Sequence, residues 1–347
     1  MRALVNERLR TGAVPLPATE APRFHVGLEG YRPTPLRELA ALAAELGVTS
    51  VAVKDESQRL GLPAFKILGA SWATERAVRA KPQTHTLVAA SAGNHGRAVA
   101  RVAATRGLAC RIFLPARAAP ARVAAIAAEG AEVVVIDGDY ELAVGRAAAA
   151  GGEPGVVELA DVGEAGSAQW VIDGYATLFA EAAAQGSFDL VLVPVGVGSL
   201  AAAAARFAAQ AGARVIGIEP ETAACLTASL AAGRPTAVST PGTSMAGLDC
   251  AEVSAAAWPS LRDGILGTIT VSDDEARAGM RELAILGWAI GDCGAAPLAG
   301  LRALAGDPAC ADLRAAAGLG PETQILLVAT EGVTDPEGYV PAVAVPG

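Results

Sequence analysis

Six short apolar runs recur along the chain, at residues 87–91, 110–114, 132–136, 189–195, 214–218 and 324–329. They are continuous runs of Val, Ile and Leu rather than alternating ones. That pattern predicts strands buried on both faces, as in parallel sheets. Each of the first five is followed by an alanine-rich stretch with helix-forming character. Strands alternating with helices predict an α/β fold with parallel sheets. Ligands in such sheets bind beyond the carboxyl ends of the strands, so the loops after these strands are where chemistry is to be sought. Residues 151–155 form a glycine turn cluster. Residues 233–247 make a longer irregular loop, and a loop of that length inside a compact domain is usually functional.

Composition narrows the function classes. The chain has 347 residues, enough for two domains, with 52% hydrophobic and 18% charged residues, as expected of a globular protein. The net charge is -9 and there is no basic run, which argues against nucleic acid or an anionic membrane as partner. Alanine runs such as 201–205 are broken by Arg206 and Gln210, and no stretch approaches the roughly 20 apolar residues of a membrane span. The first ten residues carry Arg2, Glu7, Arg8 and Arg10 without an apolar core, unlike a secretory signal. Five scattered cysteines, none in a C-x-x-C pair, fit reduced thiols in the cytoplasm. His25, His85 and His95 have no metal-ligand spacing, so no catalytic metal is expected.

Three motifs carry candidate chemistry. Lys66, after Ala64-Phe65, opens a helical stretch; a lysine desolvated there has its charged form disfavoured and suits imine formation, although an ordinary solvated helix lysine would look the same. Ser91-Ala92-Gly93-Asn94-His95-Gly96 lies directly between a strand and a helix, where backbone amides converge into an anion site fit for a carboxylate. Simple helix capping with Asn94 as N-cap is the plainer alternative. Gly196-Val197-Gly198-Ser199 follows the strongest strand and opens an alanine helix, which favours a phosphate. A dinucleotide fingerprint is the rival reading there. Gly196-x-Gly198-x-x-Ala201 has the spacing, and Glu219 ends the next strand where a ribose-binding acid would stand. A nicotinamide-dependent dehydrogenase, however, leaves Lys66 and residues 91–96 without a role.

The order lysine, Ser-x-Gly-Asn-His, glycine loop resembles the fold type II pyridoxal phosphate enzymes, the group of threonine dehydratase and the tryptophan synthase β subunit. Four local features look closer to the diaminopropionate ammonia-lyase family. These are Lys54-Asp55-Glu56-Ser57 with Arg59, Gly61 and Leu62 leading into Lys66; Gln169-Trp170 before Asp173-Gly174-Tyr175; Met245-Ala246-Gly247-Leu248 before Cys250; and Thr330-Glu331-Gly332-Val333-Thr334-Asp335-Pro336. The resemblance runs from about Tyr31 to Tyr339. It implies that Lys66 holds pyridoxal 5'-phosphate covalently, that Asn94 contacts its ring, that Gly196, Val197, Gly198 and Ser199 bind its phosphate, and that Thr330 faces its ring nitrogen. Ser91, Ala92, Gly93, Asn94 and His95 would then bind the substrate carboxylate.

The resemblance further implies two α/β domains, a large cofactor-binding one at 1–85 and 183–347 and a small mobile one at 86–182, and a homodimer. The activity it implies is α,β-elimination on a small amino acid, foremost 2,3-diaminopropionate. A serine/threonine dehydratase or a β-replacement synthase would use the same scaffold. Where the family has an aspartate before Gly-Asn-His-Gly, this chain has Ala92. For the family's second acid, which would protonate the leaving group, Glu158 and Asp161 both lie in the right segment, and Asp161 is the one chosen.

Overall fold

The structure is a computed structural model and describes residues 1–164 and 166–344. The chain folds as two compact units, Met1–Phe65 with the chain from Tyr175 onward, and Lys66–Gly174. The smaller unit therefore starts at Lys66, not at residue 86. The helix Lys66–Ala80 belongs with it because it packs on the helices Asn94–Thr105 and Ser167–Gly174. Gly174 lies so near this helix that a Cβ there would stand 2.6 Å from the Leu68 carbonyl oxygen.

The strands, in chain order, are β1 (Ala3–Val5), β2 (Leu36–Glu38), β3 (Ser50–Asp55), β4 (Thr86–Ala90), β5 (Ala109–Pro115), β6 (Glu132–Ile136), β7 (Val156–Glu158), β8 (Leu190–Pro194), β9 (Arg214–Pro220), β10 (Gly267–Val271) and β11 (Gln324–Ala329). The smaller unit holds a four-stranded sheet in the order β6-β5-β4-β7, all parallel. The larger unit holds a seven-stranded sheet in the order β1-β10-β9-β8-β11-β3-β2. Its inner five strands are parallel, and both edges are closed by short antiparallel strands, which limits exposed backbone for stray pairing. All six strands expected from the apolar runs are present, and helices follow the first five.

Two core strands, β3 and β10, escape the apolar-run reading. β3 ends in Lys54 and Asp55, which look solvated in the sequence yet are buried. Lys54 Nζ is 2.8 Å from Glu181 Oε2 and also donates to Thr34 O and Gln185 Oε1. Arg59 donates to both Glu56 and Glu181, and the Tyr31 hydroxyl donates to Glu181 Oε1. The Lys54-Asp55-Glu56-Ser57…Arg59 motif is therefore a buried ion network, fixing the segment that leads to Phe65.

Candidate functional site

In the smaller unit, Lys66 is the first residue of a 15-residue helix. Its Nζ donates to Asp161 Oδ2 at 3.0 Å, with the two side chains 19% and 16% exposed. Asp161 lies in the loop after β7, the edge strand of the four-stranded sheet. Three hydrogen bonds fix that loop: Leu159 N donates to Val88 O at 2.8 Å, and Ser167 Oγ accepts from Ala160 N and donates to Ala160 O. Burial by itself would raise the Asp161 carboxyl. The opposing charges of His95 and then Lys66, with the hydrogen bond from Lys66, override it and hold the group well below the usual carboxylate range. Asp161 thus rests as an anion and acts as an acceptor. Glu158, the other acid considered, lines a separate cavity instead.

The 91–96 turn connects β4 to the helix Asn94–Thr105. Gly93, not Asn94, is the N-cap residue, and Asn94 is already helical. The plainer alternative of Asn94 as a simple N-cap is thereby removed. Gly93 N donates to Ser91 Oγ at 3.3 Å. Gly96 packs onto the Ser91 carbonyl so closely that no side chain fits there. Ser91, Ala92 and Asn94 are half-buried and Gly93 is exposed, so this first helical turn is accessible to an anion. His95 is different: its ring is buried, with Nε2 against Leu159 O at 2.7 Å. What His95 offers at the turn is its backbone amide, while its ring is one of the groups that favour the ionised form of Asp161.

In the larger unit, residues 196–199 run from the end of β8 into the helix Ser199–Ala211. A Cβ on Gly196 would stand 2.8 Å from Gly247 O and 3.0 Å from Cys250 Sγ. Gly198 has φ +91°, in the left-handed region, and a Cβ there would stand 2.6 Å from Leu261 Cδ1. Ser254 N donates to Val197 O at 2.8 Å. The irregular region beginning at residue 233 thus has a definite task, clamping the glycine loop. The loop presents backbone amides at the start of a 13-residue helix, an arrangement suited to a phosphate.

Glu219 does not serve as a ribose-binding acid. It is fully buried, and its carboxylate accepts from Leu226 N, Thr227 N and Thr227 Oγ1 at 2.6–2.9 Å. Burial raises it to about 7 despite those bonds. Both carboxylate oxygens are spent on the helix Cys225–Ala232, which removes the acid that the dinucleotide reading requires.

Thr330 follows β11, is buried, and accepts from Phe65 N at 3.2 Å, tying the residue before Lys66 to the strand end. Glu331 packs its side chain against Gly291 and forms a trio with Asp292 and Cys293, whose ligand-type atoms lie within 4.8 Å of one another. A search by histidine spacing could not have found this trio. Burial, then the neighbouring carboxylates, push the Cys293 thiol well up, so it holds its proton. All five cysteines are free thiols.

Comparison with known proteins fits this geometry. The family model described as pyridoxal-phosphate dependent enzyme matches residues 28–331. The diaminopropionate ammonia-lyase of Salmonella typhimurium is 32% identical over 91% of this chain and 89% of its own length. Among solved structures, diaminopropionate ammonia lyase from Escherichia coli in complex with an aminoacrylate-PLP azomethine reaction intermediate is similar with a TM-score of 0.89 and 31% identity, covering 98% of this chain and 96% of that one. The Escherichia coli enzyme in complex with D-serine is similar to the same degree, with a TM-score of 0.89, 30% identity and the same coverage.

Proposed function

The chain belongs to the pyridoxal-phosphate dependent enzymes of fold type II, and within them to the diaminopropionate ammonia-lyase family; from that premise we propose that it converts 2,3-diaminopropionate and water into pyruvate and two molecules of ammonia. Its residues fit the cofactor. Gly196 and Gly198 give the loop a close-packed backbone, where a Cβ would stand 2.8 and 2.6 Å from neighbouring atoms, at a helix start suited to phosphate. Lys66 supplies an accessible amine and Thr330 a hydroxyl. Bound there, pyridoxal phosphate would supply an electron sink for the pair of electrons left when the Cα proton is removed.

The chain's own residues would do the rest. The amides and hydroxyl of the 91–94 turn would hold the substrate carboxylate, with Asn94 also reaching the cofactor ring. Lys66 Nζ would take the Cα proton. The observation that carries the choice of substrate is the Lys66–Asp161 pair at 3.0 Å, with Asp161 held ionised. An anionic carboxylate recognises an ammonium far better than a neutral hydroxyl. The β-amino group would dock on Asp161 as ammonium and leave with the proton it brought. This replaces the expectation that Asp161 itself donates that proton. A lost charge-assisted hydrogen bond costs about 1.5–3 kcal/mol, so the β-amine should be preferred over a β-hydroxyl by at least about tenfold.

The assay is pyruvate and ammonia release from L-2,3-diaminopropionate, L-serine and L-threonine. The expected result is two ammonia molecules per pyruvate from diaminopropionate, and slower turnover of the other two. Faster turnover of serine or threonine would establish a dehydratase, and incorporation of an added thiol would establish a β-replacement synthase. No described helix is long and apolar enough to cross a membrane. A cytoplasmic homodimer completes the proposal; sedimentation at micromolar concentration would test the dimer.

A further inference from the structure

The smaller unit contains a cavity of about 420 Å³ that the proposed reaction does not use. Small residues create it. Ala77 and Ala80 at the end of the helix Lys66–Ala80, and Ala148, Gly151 and Gly152 at the end of the helix Tyr140–Gly151, leave space against the edge strand β7. Lys81, Glu158, Ser167 and Trp170 complete the lining. Ser167 Oγ is already bonded to Ala160. The Lys81 and Glu158 side chains make no hydrogen bond or ion pair among the described residues, with each other or with any other group; only their backbones are bonded, Lys81 N to Ala77 O among them. A half-buried carboxylate without a partner is costly, and burial accordingly pushes Glu158 upward. Two helix carboxyl ends abut the cavity, and their carbonyl partial charges favour a cation beside Glu158.

We propose that this cavity is a second, non-catalytic binding site for a zwitterionic α-amino acid, with its ammonium on Glu158, its carboxylate on Lys81 and its side chain against Trp170. The volume lies within the usual range for small-molecule sites. A cation and an anion that share a cavity without pairing to each other match the two ends of such a ligand.

The site is also placed to act on the Lys66–Asp161 pair. Lys66 opens the helix whose far end forms one wall, about 22 Å away at 1.5 Å per residue. Glu158 and Ser167 bracket the loop that carries Asp161. A ligand spanning Glu158 and Lys81 therefore ties together the two elements that hold the pair.

The test is calorimetric titration of the holoenzyme with L-leucine, which has no β-leaving group and is not consumed. The visible cofactor band, recorded in parallel, reports entry into the cofactor site. Binding should occur with stoichiometry of one per chain and an unchanged band. Glu158→Gln and Lys81→Met should each weaken it by at least about tenfold, the loss of one charge-assisted hydrogen bond, while cofactor retention and thermal melting stay as in the parent. L-leucinol, which lacks the carboxylate, should be indifferent to Lys81→Met and sensitive to Glu158→Gln. Absence of binding at about 10 mM, corresponding to an affinity too weak for a built site, would overturn the proposal. So would binding that both variants leave unchanged, or binding that shifts the visible band.

Discussion

Lys54 and Lys66 each face a carboxylate, Glu181 at 2.8 Å and Asp161 at 3.0 Å, yet the two pairs are built for opposite ends. Lys54 is completely buried, and two further acceptors, Thr34 O and Gln185 Oε1, take up its remaining protons. Glu181 is likewise shared among Lys54, Arg59, Tyr31 and Thr34. Every donor there is committed, so nothing is left to meet a substrate. Lys66 and Asp161 are each about one-sixth exposed and stand at a helix start and a loop. Saturation and burial make an ion pair structural; partial exposure at the end of an element makes it available. Removing a partner should therefore cost stability in the first case and chemistry in the second.

The largest effect belongs to Lys66. Lys66→Ala should abolish the visible cofactor band and turnover, with the melting temperature little changed. Borohydride trapping in the parent protein followed by peptide mapping checks the assignment, and an adduct on any other lysine would remove Lys66 from its role. Asp161→Asn comes next. It should lower kcat/KM on diaminopropionate by at least about tenfold, the loss of one charge-assisted hydrogen bond to the β-ammonium. β-Chloro-L-alanine, whose leaving group needs no proton, should lose only a few-fold. Equal losses on both would mean that Asp161 serves Lys66 and not the leaving group.

Lys54→Met should do the reverse, costing about 3–5 kcal/mol of stability by stranding buried carboxylates, with kcat per folded molecule nearly unchanged. Chemical denaturation and active-site titration separate the two. The acid limb of stability sharpens this further. Burial opposes ionisation of Glu181, but Arg59 and then Lys54 depress it from 4.5 to about 2. A depressed carboxyl stabilises the fold above its unfolded value and loses that contribution as pH falls through the folded one. The loss should thus fall between pH 4.5 and about 2, and be on the order of 3 kcal/mol. Denaturation of Glu181→Gln across that window should show a flatter profile; a profile identical to the parent would place the acid sensitivity elsewhere.

A last effect concerns stereochemistry. Lys66 and Asp161 are hydrogen-bonded to each other, and Ala92, unlike an aspartate, cannot accept a proton to serve as a second base. The L-enantiomer of diaminopropionate should therefore react at least about a hundredfold faster than the D-enantiomer, the lower end of what a base contributes. Initial rates on the two enantiomers measure this, and comparable rates would require a second base.

The sequence by itself determined the α/β class, six of the eleven strands among the described residues, and the lysine, Gly-Asn-His and glycine-loop motifs. Those features are local: a run of Val and Ile records burial on two faces, and Gly198 records a left-handed backbone that other residues rarely adopt. Only the tertiary structure decided which acid meets Lys66. Glu158 and Asp161 lie three residues apart in one segment, and nothing in their spelling separates them. The fold brings Asp161 across 95 residues of sequence to Lys66 and leaves Glu158 at a different cavity. In the same way, β3 was hidden because Lys54 and Asp55 read as solvent-facing until their partners, more than a hundred residues away for Lys54, are seen to bury them. Glu219 matched a ribose-binding spacing, yet its oxygens are spent on the next helix. Periodicity reports how a stretch is buried; it carries no record of which distant group completes a charge, because that depends on where the chain returns.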